Sequence, residues 1–147
     1  MAVMTTDILL TGVRRDDIFE WLGDVNNHRR ILEGAFDAVK ETGSGEFDLT
    51  IKMTPLPRTL HYSFAGKDDS HGGRRILIKT SGKRVEGNLN FSLRTMKPST
   101  NTLVTAHLDY EPGRLLGALL DATSLKAGLE ASFKKVLENL AREVAKG

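Results

Sequence analysis

Hydrophobic residues recur with helical spacing near the start of the chain. Ile18, Phe19 and Leu22 have the spacing of one buried helical face. Asp17, followed three residues later by Glu20, resembles a capping box with aspartate as the cap. The pattern therefore predicts a short helix that begins at this pair of residues.

A second short helix is predicted at about residues 28–32, and Gly34 is suited to end it. The longest helical pattern follows at residues 115–145. Polar residues such as Ser132 and Asn139 fall outside its apolar face or at the margin. That face is formed by Leu115, Leu119, Ala122, Leu125, Leu129, Phe133, Val136, Leu137, Leu140 and Val144.

Between the helical segments, apolar and polar residues alternate with a period of two, which is typical of half-buried strands. In one such run, Phe47, Leu49 and Ile51 alternate with polar residues. Glycine- and proline-containing turns separate the runs, so neighbouring strands should pair antiparallel. The predicted strands cover about residues 5–12, 36–41, 46–54, 60–64, 74–80, 85–94 and 104–110.

The sheet and the long helix each have one apolar face, and they can bury these faces against each other. We therefore predict an α+β fold in which an antiparallel sheet of six to seven strands wraps around a long C-terminal helix. Two short helices follow the first strand. The pattern shows no linker or repeat, so residues 1–147 are predicted to form a single domain.

Composition narrows the class of protein. The 147 residues include no cysteine, which excludes disulfides, thiolate metal sites and a cysteine nucleophile. Twenty-one basic and 19 acidic residues leave a net charge of +2, so nucleic-acid binding is not expected. There is no signal-peptide pattern and no apolar run near the roughly 20 residues of a membrane span, which predicts a cytoplasmic protein.

The candidate chemistry is sparse. The four histidines, His28, His61, His71 and His107, have no metal-ligand spacing, so neither a metal nor a cofactor is expected. Alternation places His61 and His107 on the exposed face of the sheet. His28 lies between the short helices, where it could anchor a ligand or simply be a satisfied helix-end residue.

Tyr62 and Tyr110 share the apolar phase of their strands. A buried tyrosine hydroxyl needs a hydrogen-bond partner, and a ligand carbonyl in an apolar pocket would provide one. The alternative is a core tyrosine whose hydroxyl bonds to the backbone or to water. The sequence leaves both open.

Two segments carry a resemblance to a known superfamily. Residues 16–24 are similar to its acidic, aliphatic-aromatic, leucine, aspartate pattern in the first helix, and residues 108–112 with 115–120 resemble the entry to its long helix. The chain resembles the START-like, or SRPBCC, helix-grip superfamily of lipid-transfer domains, aromatic polyketide cyclases and birch-pollen (Bet v 1-like) allergens. Within it, the branch of polyketide cyclases and carbon-monoxide-dehydrogenase accessory proteins is most similar.

This resemblance implies an apolar cavity between the sheet and the long helix. The first hypothesis is therefore a carrier or sensor of a small hydrophobic ligand, such as a lipid, an isoprenoid or an aromatic polyketide-like compound. The second is a cyclase or dehydratase. The third, ranked last, is an accessory or assembly protein with a membrane contact. Either a monomer or a homodimer fits. The residues expected to bind the ligand are His28, Tyr62, Phe64, Phe91, Tyr110, Leu119, Ala122 and Leu125.

Overall fold

The computed structural model describes residues 2–53, 57–112 and 118–145, and the side chains of residues 118–122 lie outside this description. It contains seven strands and three α-helices, with short 3₁₀ turns at Val25–Asn27 and Ser70–Gly72. The elements are β1 (Ala2–Leu10), α1 (Arg15–Gly23), α2 (His28–Leu32), β2 (Ala38–Gly43), β3 (Glu46–Ile51), β4 (Arg58–Asp68), β5 (Arg75–Ser81), β6 (Gly87–Thr95), β7 (Thr102–Tyr110) and α3 (Ala118–Ala145).

All seven strands form one antiparallel sheet in the order β1-β7-β6-β5-β4-β3-β2. Strands β2 to β7 make a meander, as the short turns between them require. The first strand then pairs with the last, Ala2 opposite Tyr110 and Leu10 opposite Thr102. This confirms the predicted helix-grip α+β architecture and leaves β1 and β2 as the two edges of the sheet.

The core lies between the concave face of the sheet and α3. In the described part of α3, the predicted apolar face is confirmed, since Leu125, Leu129, Phe133, Val136, Leu137 and Leu140 are all buried. The side chains of Leu119 and Ala122, and the whole of Leu115, lie outside the described residues. No helix in the described part of the chain is both long enough and apolar enough to span a bilayer.

Two details of the predicted helices are wrong. Helix α1 begins at Arg15, and its cap residue Arg14 makes no side-chain capping bond, so Asp17 is not the cap. Asp16 and Asp17 instead lie in the first turn, where negative charge suits the helix dipole.

Asn139 is the second correction, because it is only 1% exposed rather than at the margin of the apolar face. Its Nδ2 donates to the carbonyl oxygens of Ile31 and Glu33, each at 3.0 Å, and its Oδ1 accepts from Arg142. These bonds satisfy carbonyl groups at the end of α2 and fix α2 on α3. Ser132, at 7% exposed, is likewise buried.

Polar contacts hold α1 against the far end of the β4–β5 hairpin. Lys67 Nζ lies 3.1 Å from Glu20 and 4.7 Å from the centre of the Phe19 ring. Arg74 Nε lies 3.1 Å from Asp16. The short helices therefore close one end of the sheet from outside as well as through their buried residues.

Candidate functional site

The core contains one pair of interacting titratable side chains among the described residues. His28, the first residue of α2, is fully buried, and Tyr62 on β4 is buried beside it. The Tyr62 hydroxyl lies 2.6 Å from His28 Nδ1, and His28 Nε2 lies 2.6 Å from the Leu22 carbonyl oxygen. The structure thus brings together two residues that the sequence offered separately as ligand-binding candidates.

The partners of His28 determine where its proton lies. The Leu22 carbonyl can only accept, so Nε2 carries the hydrogen and donates it. In the neutral ring Nδ1 is then an acceptor, and the Tyr62 hydroxyl donates to it. Burial lowers the pKa of His28, although the hydrogen bond to Leu22 and the nearby Asp24 act in the opposite direction.

Tyr62 is held in its neutral form. Burial raises its pKa well above 10, because the charged phenolate would lose its hydration in the core. The pair is therefore an uncharged donor and acceptor, with the hydroxyl oxygen of Tyr62 still able to accept a hydrogen bond.

Aromatic rings surround the pair. The Phe64 ring meets the His28 ring edge to face at 5.2 Å, and Phe47 meets Tyr62 at 6.0 Å. Phe64 is half-buried and lies next to a register shift in β4 before Gly66, where φ is +150°. A shift of this kind changes which face a side chain takes.

Three other predicted ligand-binding residues, Phe91, Tyr110 and Leu125, are almost completely buried in the same core. Burial, with a smaller contribution from Glu130, raises the pKa of Tyr110 above its usual value. The remaining two, Leu119 and Ala122, have side chains outside the described part of the structure. Pocket lining by these five residues stays a prediction.

The open space in the described structure lies beside these residues. A groove of about 610 Å³, here called the α3 groove, separates α3 from the ends of α2 and β3. Small side chains on α3 leave this space. The lining residues are Ala35, Asp37, Lys52, Met53, Ser124, Ala127, Gly128, Ala131 and Ser132.

Gly128 explains why α3 comes so close to β3 at this groove. A Cβ at this position would lie 2.9 Å from both the Ile51 Cγ2 and the Lys52 carbonyl oxygen. Only glycine allows the helix to approach the strand at that distance. The sequence analysis missed this residue, whose only signal is a lone glycine within an otherwise regular helical pattern.

A second space, of about 590 Å³, lies at the other end of α3 beside Trp21, Glu20 and Val144. Trp21 is half-buried there, as expected for a residue just outside the apolar face of α1. The predicted ligand-binding residues whose side chains are described line neither the α3 groove, nor this second space, nor two smaller grooves beside β1 and α1. Side chains that sequence reasoning passed over line them instead.

The histidines of the convex face behave as predicted. His61 Nδ1 lies 2.7 Å from Asp48 Oδ1, and the hydrogen bond to Asp48 is the main cause that raises the pKa of His61. His107 lies 3.1 Å from Asp109, and both histidines are partly exposed. Among residues 2–53, 57–112 and 118–145, no three histidine or acidic side chains are grouped as metal ligands.

The fold is shared with solved proteins of low sequence identity. The KanY protein, an NMR structure, aligns with a TM-score of 0.72 at 13% identity over 98% of this chain and 97% of that one. A norcoclaurine synthase point mutant from Thalictrum flavum, in complex with a transition-state analogue, aligns with a TM-score of 0.64 at 14% identity, covering 97% and 95%. TTHA0849 from Thermus thermophilus gives 0.61 at 11% identity, covering 97% and 99%.

These likenesses establish a Bet v 1-like, polyketide-cyclase-like fold over nearly the whole chain. No protein-family model matches the sequence. No curated protein matches it either. The fold alone does not define what the protein binds.

Proposed function

We propose that the protein binds a small hydrophobic molecule between its sheet and α3, as a carrier or sensor. The observation that carries the proposal is the α3 groove, which opens beside the apolar core in a fold of this type. Its volume of about 610 Å³ lies within the roughly 300–1,000 Å³ of ordinary small-molecule pockets.

The lining of the groove favours an apolar ligand with a small polar end. Ala35, Met53, Ala127 and Ala131 supply carbon surface, whereas Lys52 is exposed at the groove. A lysine at the rim can pair with a polar or anionic group that stays close to water. Such an arrangement fits an isoprenoid, fatty or aromatic compound better than a sugar or a nucleotide.

The groove also leads towards the predicted residues. Leu125 and Leu129 alternate along α3 with the lining residues Ser124 and Gly128, and both leucines are buried. A ligand that pushed α3 slightly away from β3 at Gly128 would reach this part of the core. Norcoclaurine synthase, which shares the fold, holds a transition-state analogue, so the architecture accommodates small organic molecules.

A titration followed by ¹H–¹⁵N NMR tests the proposal, with 1-anilinonaphthalene-8-sulfonate as an apolar probe that carries one anionic group. We expect chemical-shift changes concentrated at Ala35, Met53 and Gly128. Changes spread over the whole sheet, or confined to the convex face, would contradict binding at the α3 groove.

Two matched variants make the test specific. Lys52→Trp places a large ring at the rim of the groove and removes its positive charge, and should weaken probe binding at least several-fold. Lys79→Trp makes the same change at an exposed position on β5, away from the groove, and should leave binding unchanged. Equal effects of the two variants would show that the probe binds elsewhere.

The second candidate function is a cyclase or dehydratase, and the His28–Tyr62 pair favours it. An enzyme of this type needs at least two polar groups that converge inside an apolar site, and these two meet at 2.6 Å. A substrate hydroxyl can donate its proton to the Tyr62 oxygen while Tyr62 passes its own proton to His28 Nδ1. The relay ends with a protonated His28, which its burial opposes, so this function ranks second.

Tyr62→Phe distinguishes the two functions. The variant removes the relay but keeps the ring, so a carrier should retain its ligand with little change in affinity. Wild-type and variant proteins are incubated with an organic extract of cells, and the extract is then compared by chromatography and mass spectrometry. A compound consumed by the wild type and untouched by the variant would establish the enzyme.

A further inference from the structure

The two edges of the sheet differ in how well they are protected against pairing. Strand β2 has six residues, includes the charged Lys40 and Glu41, and has a register shift between Glu41 and Gly43. Short length, charge and bulges are the usual ways to prevent an edge from pairing. Strand β1 has nine regularly paired residues, no proline and one charge, Asp7. Edge β1 is therefore open to another strand, whereas edge β2 is not.

The exposed face of β1 is apolar at both ends. Val3 and Leu9 are 41% and 50% exposed, and they are the exposed large hydrophobic residues of the described chain. Both lie on the convex face, because the odd-numbered residues of β1 point outward. The two residues are equally far from Thr6, one on each side.

This symmetry points to the partner. In an antiparallel pair of two β1 strands centred on Thr6, Val3 lies opposite Leu9 of the second copy, and the contact occurs twice. Opposed apolar side chains on one face stabilise a strand pair. We propose that the protein forms a two-fold homodimer through β1, in the register centred on Thr6.

The neighbouring surface of α3 is complementary to itself. Ala127, Glu130, Ala131 and Lys134 lie beside Thr6 in a groove between β1 and α3. A two-fold axis through Thr6 turns one helix antiparallel to the other, so Glu130 approaches Lys134 of the second copy. The alanines add little bulk at this surface, and the net charge of +2 gives little repulsion between copies.

Cross-linking tests the register directly, since the native chain has no cysteine. Val3→Cys and Leu9→Cys proteins are mixed under mild oxidation. In the proposed register positions 3 and 9 face each other, whereas two copies of position 3 are about 20 Å apart. We expect covalent dimers in the mixture and none in either protein alone, or in a mixture of Val3→Cys with Lys79→Cys.

The mass in solution provides the second measurement. Light scattering across a dilution series should give twice the 16.2 kDa mass of the chain. Val3→Lys/Leu9→Lys should give the monomer, and the matched Ala38→Lys/Thr42→Lys change on β2 should leave the dimer intact. A monomeric wild type, or a dimer without the 3–9 cross-link, would overturn the proposal.

Discussion

His28 and His61 show how the two faces of one sheet treat the same side chain. Inside, His28 is fully buried, neutral and bonded to Tyr62 and Leu22. Outside, His61 is 33% exposed and lies next to Asp48, which raises its pKa. The comparison teaches that burial, rather than the number of polar partners, decides how much each histidine contributes to stability.

The largest expected effect comes from His28→Leu. The change leaves the Tyr62 hydroxyl and the Leu22 carbonyl buried without their partner, at about 1–3 kcal/mol for each unsatisfied group. We expect the free energy of unfolding in urea to fall by about 2–5 kcal/mol. If it fell by less than about 1 kcal/mol, the buried pair would not exist as described.

Adding Tyr62→Phe to His28→Leu sharpens this result. The double variant no longer contains an unpaired hydroxyl, so it should recover part of the stability that His28→Leu loses. Urea unfolding of the two single variants and the double variant gives the coupling energy between the side chains. Strictly additive losses would show that the two residues do not interact.

Tyr62→Phe alone should have the next largest effect. It leaves His28 Nδ1 without a donor in the core but creates almost no cavity, so we expect a loss of about 1–2 kcal/mol. Tyr110→Phe is the matched change on β7, where the hydroxyl makes no hydrogen bond within the described part of the chain, and it should cost less. A larger loss from Tyr110→Phe would reverse the assignment.

The pH dependence of stability should have opposite signs for the two histidines. The pKa of His28 is lower in the folded protein, so its contribution falls as the pH drops below about 6.5, where the unfolded chain takes up a proton. The pKa of His61 is raised, so its contribution is complete below about 6.5 and is lost as the pH rises through the folded value. Imidazole ¹⁵N NMR should show His28 as the neutral Nε2–H form at a pH where His61 is charged. Protonation of His28 before His61 would contradict this order.

The smallest effect is expected from His61→Gln. The exposed pair with Asp48 is screened by water, so the free energy of unfolding near neutral pH should change by less than about 0.5 kcal/mol. Urea unfolding run beside His28→Leu provides the comparison. A loss as large as that of His28→Leu would mean that the convex face is covered in solution.

The sequence was sufficient for the fold because periodicity is a local signal. Alternation in residues such as Phe47, Leu49 and Ile51 marked the sheet, and the leucines of α3 marked the helix. Chain order and short turns then restricted the topology to a meander. The burial of Tyr62 and Tyr110 followed from the same alternation.

The candidate site could be predicted only in part, because it depends on contacts between distant segments. His28 meets Tyr62 across 34 residues, and Asn139 meets Ile31 across 108. Neither distance has a signature in a local pattern. The α3 groove likewise depends on how close Gly128 brings the helix to β3, which composition and spacing do not encode.

The central claim, that the protein binds a small hydrophobic molecule, is tested most directly by native mass spectrometry of protein purified without organic solvent and again after incubation with a total lipid extract. The account predicts a complex that carries the extra mass of one small organic molecule, which Lys52→Trp reduces and Lys79→Trp does not. Bare protein in both samples would contradict it.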